Sequence, residues 1–371
     1  MTAKRVVVAM SGGVDSSLAA AILKNQRYQV IGVTMQIWPA DKQNSSGGCC
    51  GLGAIEDAKR VAHRLDIPHY VMNFRNLFAQ TVIADFCRQY SLGRTPNPCI
   101  RCNQYIKFDA LLHRAKELDA DFIATGHYGR IEHSSDGYRL LKAIDPVKDQ
   151  SYFLYTLGQK ELQHLLLPIG NFHKVEVRRL ATELDLPTAT SRDSQDICFI
   201  PDSDYRSFIA EHIPCQPGDI VDTDGKVLGR HKGLAHYTVG QRQGLGLASD
   251  KRLYVLKLDA SSNRLVVGNQ DQLLTGRLFA RQLSWVSGRA PEVLRDITAK
   301  VRYRAPEVAV SLHLGNGTAQ VQFARPQRAI APGQAVVFYQ GEAVLGGGVI
   351  EASALVERDE PSEHSIYTIL C

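Results

Sequence analysis

Two sets of residues in this 371-residue chain have the types and spacing to do chemistry. The first is the run Ser11-Gly12-Gly13-Val14-Asp15-Ser16-Ser17, between a β-branched stretch (Lys4 to Ala9) and a helix-like one (Ser16 to Asn25). Glycines let backbone N–H groups approach an anion without a Cβ in the way, and the following helix turns its positive end toward it. Phosphate is the expected ligand, with Ser11, Ser16 and Ser17 as extra hydroxyl donors. No Gly-Lys-Ser/Thr follows, so this is not a Walker A loop. Asp15 repels phosphate unless a metal such as Mg2+ stands between them. A plain glycine turn capped by serine is the bland alternative.

The second set is the cysteines: Cys49, Cys50, Cys87, Cys99, Cys102, Cys198, Cys215 and Cys371. They are scattered along a chain with no secretory signal, so catalytic, redox or metal roles are expected rather than a disulfide scaffold. Cys99-Ile100-Arg101-Cys102 is a CxxC, and Cys198 lies nearly a hundred residues beyond it. Cys87 and Cys215 read as small buried hydrophobes. Adjacent Cys49 and Cys50 sit in a glycine-bearing loop, as a further ligand, a redox bystander or neither.

The elements that must position these groups alternate over the first two hundred residues. Strand-like segments (Lys4 to Ala9, Tyr28 to Met35, His69 to Asn73, Phe122 to Thr125) are spaced by helix-like ones (Ser16 to Asn25, Ala54 to Leu65, Leu77 to Tyr90, Phe108 to Leu118). Single helices between strands imply βαβ units, hence an α/β doubly wound parallel sheet with ligands beyond the strand carboxyl ends. Asp136-Gly137 marks a hairpin inserted in this layer. From about Pro214 helical periodicity fades into short runs punctuated by glycine. From about Gly276, alternating strands (Ala299 to Tyr303, Val308 to His313, Ala319 to Phe323, Ala335 to Tyr339) suit a small barrel or sandwich. Three parts are expected: a catalytic α/β domain over 1–206, a small β-rich domain over 207–275 and a β-barrel over 276–371.

Net charge is a modest +5. Its distribution says more: nine Lys/Arg and three acids lie between Arg277 and Arg328, an excess suited to a phosphate-bearing partner or to a solvated face balanced by the acidic tail. No run approaches the roughly 20 apolar residues of a membrane span, so the chain reads as cytoplasmic, with no membrane partner.

Ser-Gly-Gly-Val-Asp-Ser-Ser after an N-terminal strand resembles the PP-loop ATP pyrophosphatases, of adenine nucleotide hydrolase-like fold, which cleave ATP to AMP and pyrophosphate. Further motifs narrow the likeness: Thr95-Pro96-Asn97-Pro98, Cys102-Asn103, Ala124-Thr125-Gly126-His127-Tyr128, Lys148 to Leu154, Cys198-Phe199-Ile200 and Tyr237 to Arg242. In that order, nearly end to end, they are similar to the bacterial tRNA-specific 2-thiouridylases. The resemblance implies that Ala9, Met10, Ser11, Gly12, Gly13, Val14, Asp15 and Ser16 hold ATP, with Met35 and Gly126 at the adenosine. It implies that Asn97, Pro98, Cys99, His127, Lys148, Asp149, Gln150, Arg302, Tyr303 and Gln334 meet tRNA. Lys148 and Arg302 suit phosphate, and Tyr303 suits a base face.

The implied reaction adenylates the C2 oxygen of a uridine, the wobble uridine 34 in tRNAs for lysine, glutamate and glutamine. Sulfur then arrives on Cys198 as a persulfide, and Cys102 releases it, leaving a Cys102–Cys198 disulfide. Two thiols doing this must bring their Cα atoms within about 7 Å. The implied donor is a cysteine desulfurase, direct or through a sulfur relay protein. One position departs: well-known members carry Asp where this chain has Cys99. Cys99, Cys102 and Cys198 are then also a candidate iron–sulfur set, although three ligands alone under-specify a cluster. A PP-loop amidating synthetase would share the ATP loop without needing paired cysteines or a basic barrel. A tRNA-binding protein that holds nucleotide without turnover is a third reading.

Overall fold

The computed structural model describes residues 3–37, 52–191, 197–200, 204–248 and 250–354. Its first sheet is built from β1 (Arg5–Ala9), β2 (Gln29–Gln36), β3 (His69–Asn73), β4 (Phe122–Thr125) and, after a hairpin of β5 (Arg130–Ser134) and β6 (Gly137–Leu141), the short β7 (Leu165–Leu166). The order is β3-β2-β1-β4-β7, and every pairing is parallel. β1 is apolar from Val6 to Ala9 because both its faces are covered there. Val6 and Val8 pack toward α1 (Val14–Asn25) and α2 (Leu52–Arg64), whereas Val7 and Ala9 enter a larger cluster with Phe78, Phe86, Ile106 and Leu111. The doubly wound sheet expected from the strand–helix alternation is therefore present.

The strand-to-helix switch after β1 fixes the candidate phosphate turn. Gly12 has φ +72° and Gly13 is extended at the N-cap, so α1 begins at Val14. A second helical stretch, residues 98–117, starts at Asn97, whose side chain accepts from the Cys99 N–H at 3.2 Å, with Pro98 at the first helical position. Its middle, Cys102–Ala110, is wound as a π-helix. That winding scrambles the 3.6-residue period, which explains why periodicity places a helix only from Phe108.

The central section forms a four-stranded sheet, β8 (Gly218–Val221), β9 (Val227–His231), β10 (Tyr254–Asp259) and β11 (Arg264–Gly268), in the order β10-β11-β8-β9. The last section is a closed antiparallel barrel of β12 (Leu274–Trp285), β13 (Ile297–Lys300), β14 (Val308–Gly315), β15 (Thr318–Arg328), β16 (Ala335–Gln340) and β17 (Ala343–Ala354). It runs β12-β15-β14-β13-β16-β17 and closes through β12–β17 pairing, so a barrel rather than a sandwich is formed. Closure leaves the barrel no free edge among its own strands.

The Asp136-Gly137 hairpin forms as expected, but it does not lie in the parallel layer. β6 pairs with β17, Leu141 opposite Ala343 and Leu140 opposite Val344, so β5 and β6 extend the barrel sheet. Side chains tighten the junction. Lys142 Nζ donates to Glu307 Oε2 at 2.7 Å, Thr298 Oγ1 donates to the same oxygen at 2.7 Å, and Tyr152 Oη donates to the Ala335 carbonyl at 2.9 Å. Among the described residues no helix is long and apolar enough to cross a membrane.

Candidate nucleotide and thiol site

The turn after β1 is braced from three sides. Its floor is the Met10 carbonyl, which accepts from Thr34 Oγ1 at 2.9 Å; His69 Nε2 lies 2.9 Å from the same hydroxyl. Within the turn, the Ser11 N–H donates to Ser16 Oγ at 3.1 Å, and the Ser16 and Ser17 hydroxyls donate to the Gly13 carbonyl at 3.1 and 2.8 Å. Those two hydroxyls hold the turn together. From the third side, the segment that leaves β4 presses Gly126 onto the start of α1: a Cβ there would lie 2.6 Å from the Ser16 nitrogen. Ala9, Met10, Val14 and Met35 are buried, so they shape the turn from beneath, while Ser11, Gly13 and Asp15 keep an accessible surface.

Asp15 does not stand alone against an incoming anion. Lys174 Nζ donates to its two oxygens at 2.7 and 2.8 Å, and Tyr128 Oη donates to Oδ1 at 2.7 Å. Neither Lys174 nor Tyr128 was singled out from sequence. Tyr128 sits inside a motif quoted above, but Lys174 belongs to no pattern, and only folding brings it to the turn.

The candidate thiols lie on two other segments. Cys102 begins the π-helical segment and is 9% exposed, Cys99 is exposed one turn earlier, and Cys198 is half-buried. Cys102 belongs to the same apolar cluster as Ala9 and Met35, and Cys198 packs against that cluster. Phe199 anchors the Cys198 segment with ring centroids 5.5 Å from Phe78, 5.3 Å from Phe86 and 5.4 Å from Phe208. Cys49, Cys50 and Cys371 fall outside the described residues.

His127 links the two halves. Its Nδ1 is 2.7 Å from Thr125 Oγ1 and its Nε2 is 3.4 Å from Lys107 Nζ, on the helix that carries Cys102. Burial, and then the Lys107 ammonium, hold its pKa well below the usual histidine value. The ring is neutral; since an ammonium can only donate, Nε2 accepts and the proton sits on Nδ1, which donates to Thr125. Lys107 was also missed from sequence: it lies five residues after Cys102, a spacing that shares a face only in a π-helix. Buried Asn103 donates to the Phe153 carbonyl at 3.1 Å and so ties the same helix to the 148–154 segment.

The remaining candidates divide by accessibility. Asp149 is 5% exposed, and its carboxylate accepts from Ala143 N at 3.0 Å and from Ser151 N and Oγ at 3.2 and 2.8 Å, with Lys300 Nζ at 3.8 Å. That carboxylate is engaged inside the protein and fixes its loop. Gln150 accepts from Tyr128 N at 2.9 Å, and half-buried Lys148 donates its N–H to Asp145 at 3.2 Å. On the barrel, the Tyr303 ring lies 4.4 Å from Phe153, and Arg302 Nη2 donates to the Arg328 carbonyl at 3.1 Å. A cavity of about 420 Å³ there is lined by Arg302, Arg304 and Arg328 among others.

Gln334 is half-buried and acts as a latch. Its amide donates to the Thr95 carbonyl at 2.9 Å, and the Thr95 N–H donates to the Pro332 carbonyl at 2.7 Å, docking the segment before Asn97 on a barrel turn. Gln334→Ala removes a hydrogen bond worth about 1 kcal/mol. It is expected to lower the melting midpoint by about 1–2 °C and to speed limited proteolysis within residues 91–97. Unchanged digestion would mean that Pro332 alone holds the segment.

Comparison with known proteins finds matches over nearly the whole chain. The family description "tRNA methyl transferase HUP domain" matches residues 4–202, "tRNA methyl transferase PRC-barrel domain" residues 206–269 and "Aminomethyltransferase beta-barrel domain" residues 275–350. The tRNA-specific 2-thiouridylase MnmA of Heliobacterium modesticaldum is 52% identical over 353 residues, covering 93% of this chain and 92% of that protein. Its namesake in Moorella thermoacetica is 51% identical over 358 residues, covering 94% and 100%. That of Clostridium perfringens is 48% identical over 357 residues, covering 95% and 99%. With a phosphate turn, a cysteine-bearing helix and a closed barrel in one chain, and identity near one half across their full extent, this protein belongs to the tRNA-specific 2-thiouridylase family.

Proposed function

We infer that this protein uses ATP to replace the C2 oxygen of a tRNA uridine with sulfur, acting in the cytoplasm on the wobble uridine of the tRNAs for lysine, glutamate and glutamine. The observation that carries this reading is His127: it follows Gly126 at the nucleotide turn and contacts Lys107 on the helix of Cys102, so one histidine spans both chemistries.

ATP suits the turn. Gly13 has open space where a Cβ would stand, with nothing nearer than its neighbour Ser11 Oγ at 3.6 Å, and the N-terminus of the 12-residue helix α1 faces it. Ala9 to Ser16 would hold the phosphates, with Met35 and Gly126 at the adenosine. Mg2+ would bind through nucleotide oxygens and Asp15, once that carboxylate exchanges its present partners. The uridine O2 attacks the α-phosphorus, and pyrophosphate leaves with the electron pair of the broken bond. The outer sulfur of the Cys198 persulfide then attacks C2 and expels AMP, leaving a C2–S–S–Cys198 link; the Cys102 thiolate attacks the Cys198 sulfur and breaks that link, and forming the Cys102–Cys198 disulfide supplies the two electrons that reduce the transferred sulfur. A dithiol resets the pair, and a cysteine desulfurase or relay protein reloads Cys198.

A neutral His127, with its proton fixed on Nδ1, holds Lys107 near the reacting base. Arg302, Tyr303 and Lys148 would contact the tRNA directly, Asn97, Pro98 and Cys99 would border the base, and Asp149, Gln150 and Gln334 would set the loops that do so. An iron–sulfur carrier on Cys99, Cys102 and Cys198 fits less well: among the described residues no three His, Cys, Asp or Glu side chains gather into a metal-holding group. The test is pyrophosphate release with and without unmodified tRNA. Release that needs tRNA and accompanies 2-thiouridine is expected; tRNA-independent release would point to an amidating synthetase, and no release to a passive binder.

A further inference from the structure

A cysteine aims its sulfur with a single side-chain torsion, so the backbone that carries it must do the rest. Cys102 is preceded by Arg101, and that arginine is gripped from outside its own turn. We propose that Arg101 is a positioning residue for the sulfur-release step: its guanidinium fixes the turn from Cys99 to Cys102 between a neighbouring helix and the barrel seam, and so aims the Cys102 thiol. The inference rests on the two-thiol reading of the reaction and adds a residue to it.

A guanidinium is a planar fork of five N–H donors, and here the fork is divided among three elements. Arg101 Nη2 donates to Gln282 Oε1 on β12 at 2.9 Å, and Nη1 donates to Gln104 Oε1, in the π-helical stretch, at 3.0 Å. Its Nε lies 3.4 Å from Asp85 Oδ2 on α3 (Ala84–Ser91). The Arg101 and Asp85 side chains are 17% and 16% exposed, so water competes little for this ion pair. Successive helical residues point about 100° apart. Locking Arg101 toward Asp85 and β12 therefore turns Cys102 inward, to the cluster it shares with Ala9 and Met35. The change from α- to π-winding, a rare feature found mostly at functional sites, begins at Cys102, directly after the residue so held.

The barrel side is shaped to make this contact. Gln282 has φ +52°, a left-handed conformation unusual outside glycine, where β12 slips register against β17 between Arg281 and Ser284. Such a bulge re-aims a side chain out of the strand's alternation. Neighbouring Arg281 donates through Nε to Glu351 on β17 at 2.8 Å, and Glu351 also lies 3.8 Å from Arg94. Residues 94–101 are thus held at one end by Glu351, at Thr95 by Gln334 and at the other end by Gln282. The two strands that close the barrel are thereby joined to the cysteine turn.

The step that depends on aim is a displacement at sulfur. The Cys102 thiolate attacks the Cys198 sulfur and the Cys102–Cys198 bond forms. The bond from Cys198 to the transferred sulfur breaks, and its electron pair leaves on the sulfur now attached to C2. Arg101 gives up no proton or electron in this exchange; it reduces the orientational freedom that the attacking thiolate must lose. Adenylation comes earlier and makes no use of Cys102, so the two steps respond differently to a loosened turn.

Single-turnover reactions of the reduced full chain with ATP, cysteine persulfide and unmodified tRNA test the proposal, with pyrophosphate and free 2-thiouridine read side by side. Arg101→Met is expected to slow 2-thiouridine formation about 10- to 100-fold and to leave pyrophosphate release within about twofold, while the base linked to Cys198 accumulates. Because Arg101→Met strands Asp85, exposed Gln282 supplies a second test that spares the interior. Gln282→Ala is expected to slow 2-thiouridine formation about 3- to 10-fold, and Gln282→Glu, which keeps the acceptor, to restore it. An equal fall in both readouts, as a purely structural arginine would give, overturns the proposal. Wild-type 2-thiouridine formation in Gln282→Ala overturns it as well. A wild-type chain that releases pyrophosphate with tRNA but forms no 2-thiouridine from persulfide rejects the two-thiol reading itself, a distinct result.

Discussion

Cys198→Ser is expected to abolish 2-thiouridine in tRNA while leaving tRNA-dependent pyrophosphate release within about twofold of wild type. A serine hydroxyl cannot carry a persulfide, and no other route in the proposed reaction delivers sulfur; losing a covalent nucleophile of this kind costs on the order of a thousandfold or more. Adenylation makes no use of that thiol. Cys198 is half-buried and packs against the main cluster through Phe199, so an isosteric hydroxyl perturbs packing little. Cys102→Ser should behave alike in both assays, with sulfur trapped on Cys198, as the persulfide or as its disulfide link to the base, detectable by mass. Nucleoside analysis of digested tRNA decides: thiouridine at wild-type level in either variant would reject the two-thiol route.

Gly126→Ala is expected to fail one step earlier, losing ATP binding and pyrophosphate release together by at least about a hundredfold. The new Cβ would sit 2.6 Å from the Ser16 nitrogen and 2.7 Å from the Asp15 carbonyl carbon. Both are backbone atoms at the head of α1, so relief requires shifting the helix end that faces the phosphates. Gly53→Ala is the matched control: it lies in α2 with no atom within 4 Å of the added Cβ, and alanine there should be neutral or stabilising by up to about 1 kcal/mol. ATP affinity by titration calorimetry, with melting curves for both variants, separates a local clash from a general loss of fold. Gly126→Ala with wild-type ATP affinity would remove this residue from the nucleotide site.

Much of this was legible in the chain because it is written locally. Val6 to Ala9 followed by Ser-Gly-Gly is a strand, a turn and a helix start within a dozen residues, and each property depends on near neighbours. The barrel strands were legible for the same reason, their alternation matching one buried and one open face. What stayed hidden was non-local or broke the period. The π-winding of Cys102–Ala110 concealed the first turns of the cysteine helix and the shared face of Cys102 and Lys107. Lys174 reaches Asp15 across 159 positions. Asp149 reads as a surface carboxylate until Lys300 and two backbone donors surround it. Gln334 looks like an RNA contact by resemblance, whereas its amide grips the Thr95 carbonyl. The hairpin was recognisable from Asp136-Gly137, but its allegiance to β17 depends on residues two hundred positions away.

That allegiance has a consequence for how the molecule can be cut or recombined. Because β6 borrows its partner from β17, an amino-terminal fragment ending before the barrel would present a naked ladder of N–H and C=O groups at β6 and lose the acceptor of Tyr152. Such a fragment is poised to stick to copies of itself. Grafting a foreign barrel would succeed only where the donor supplies a strand in the same register, so the enzyme's two ends are inherited as one piece of masonry rather than as interchangeable bricks.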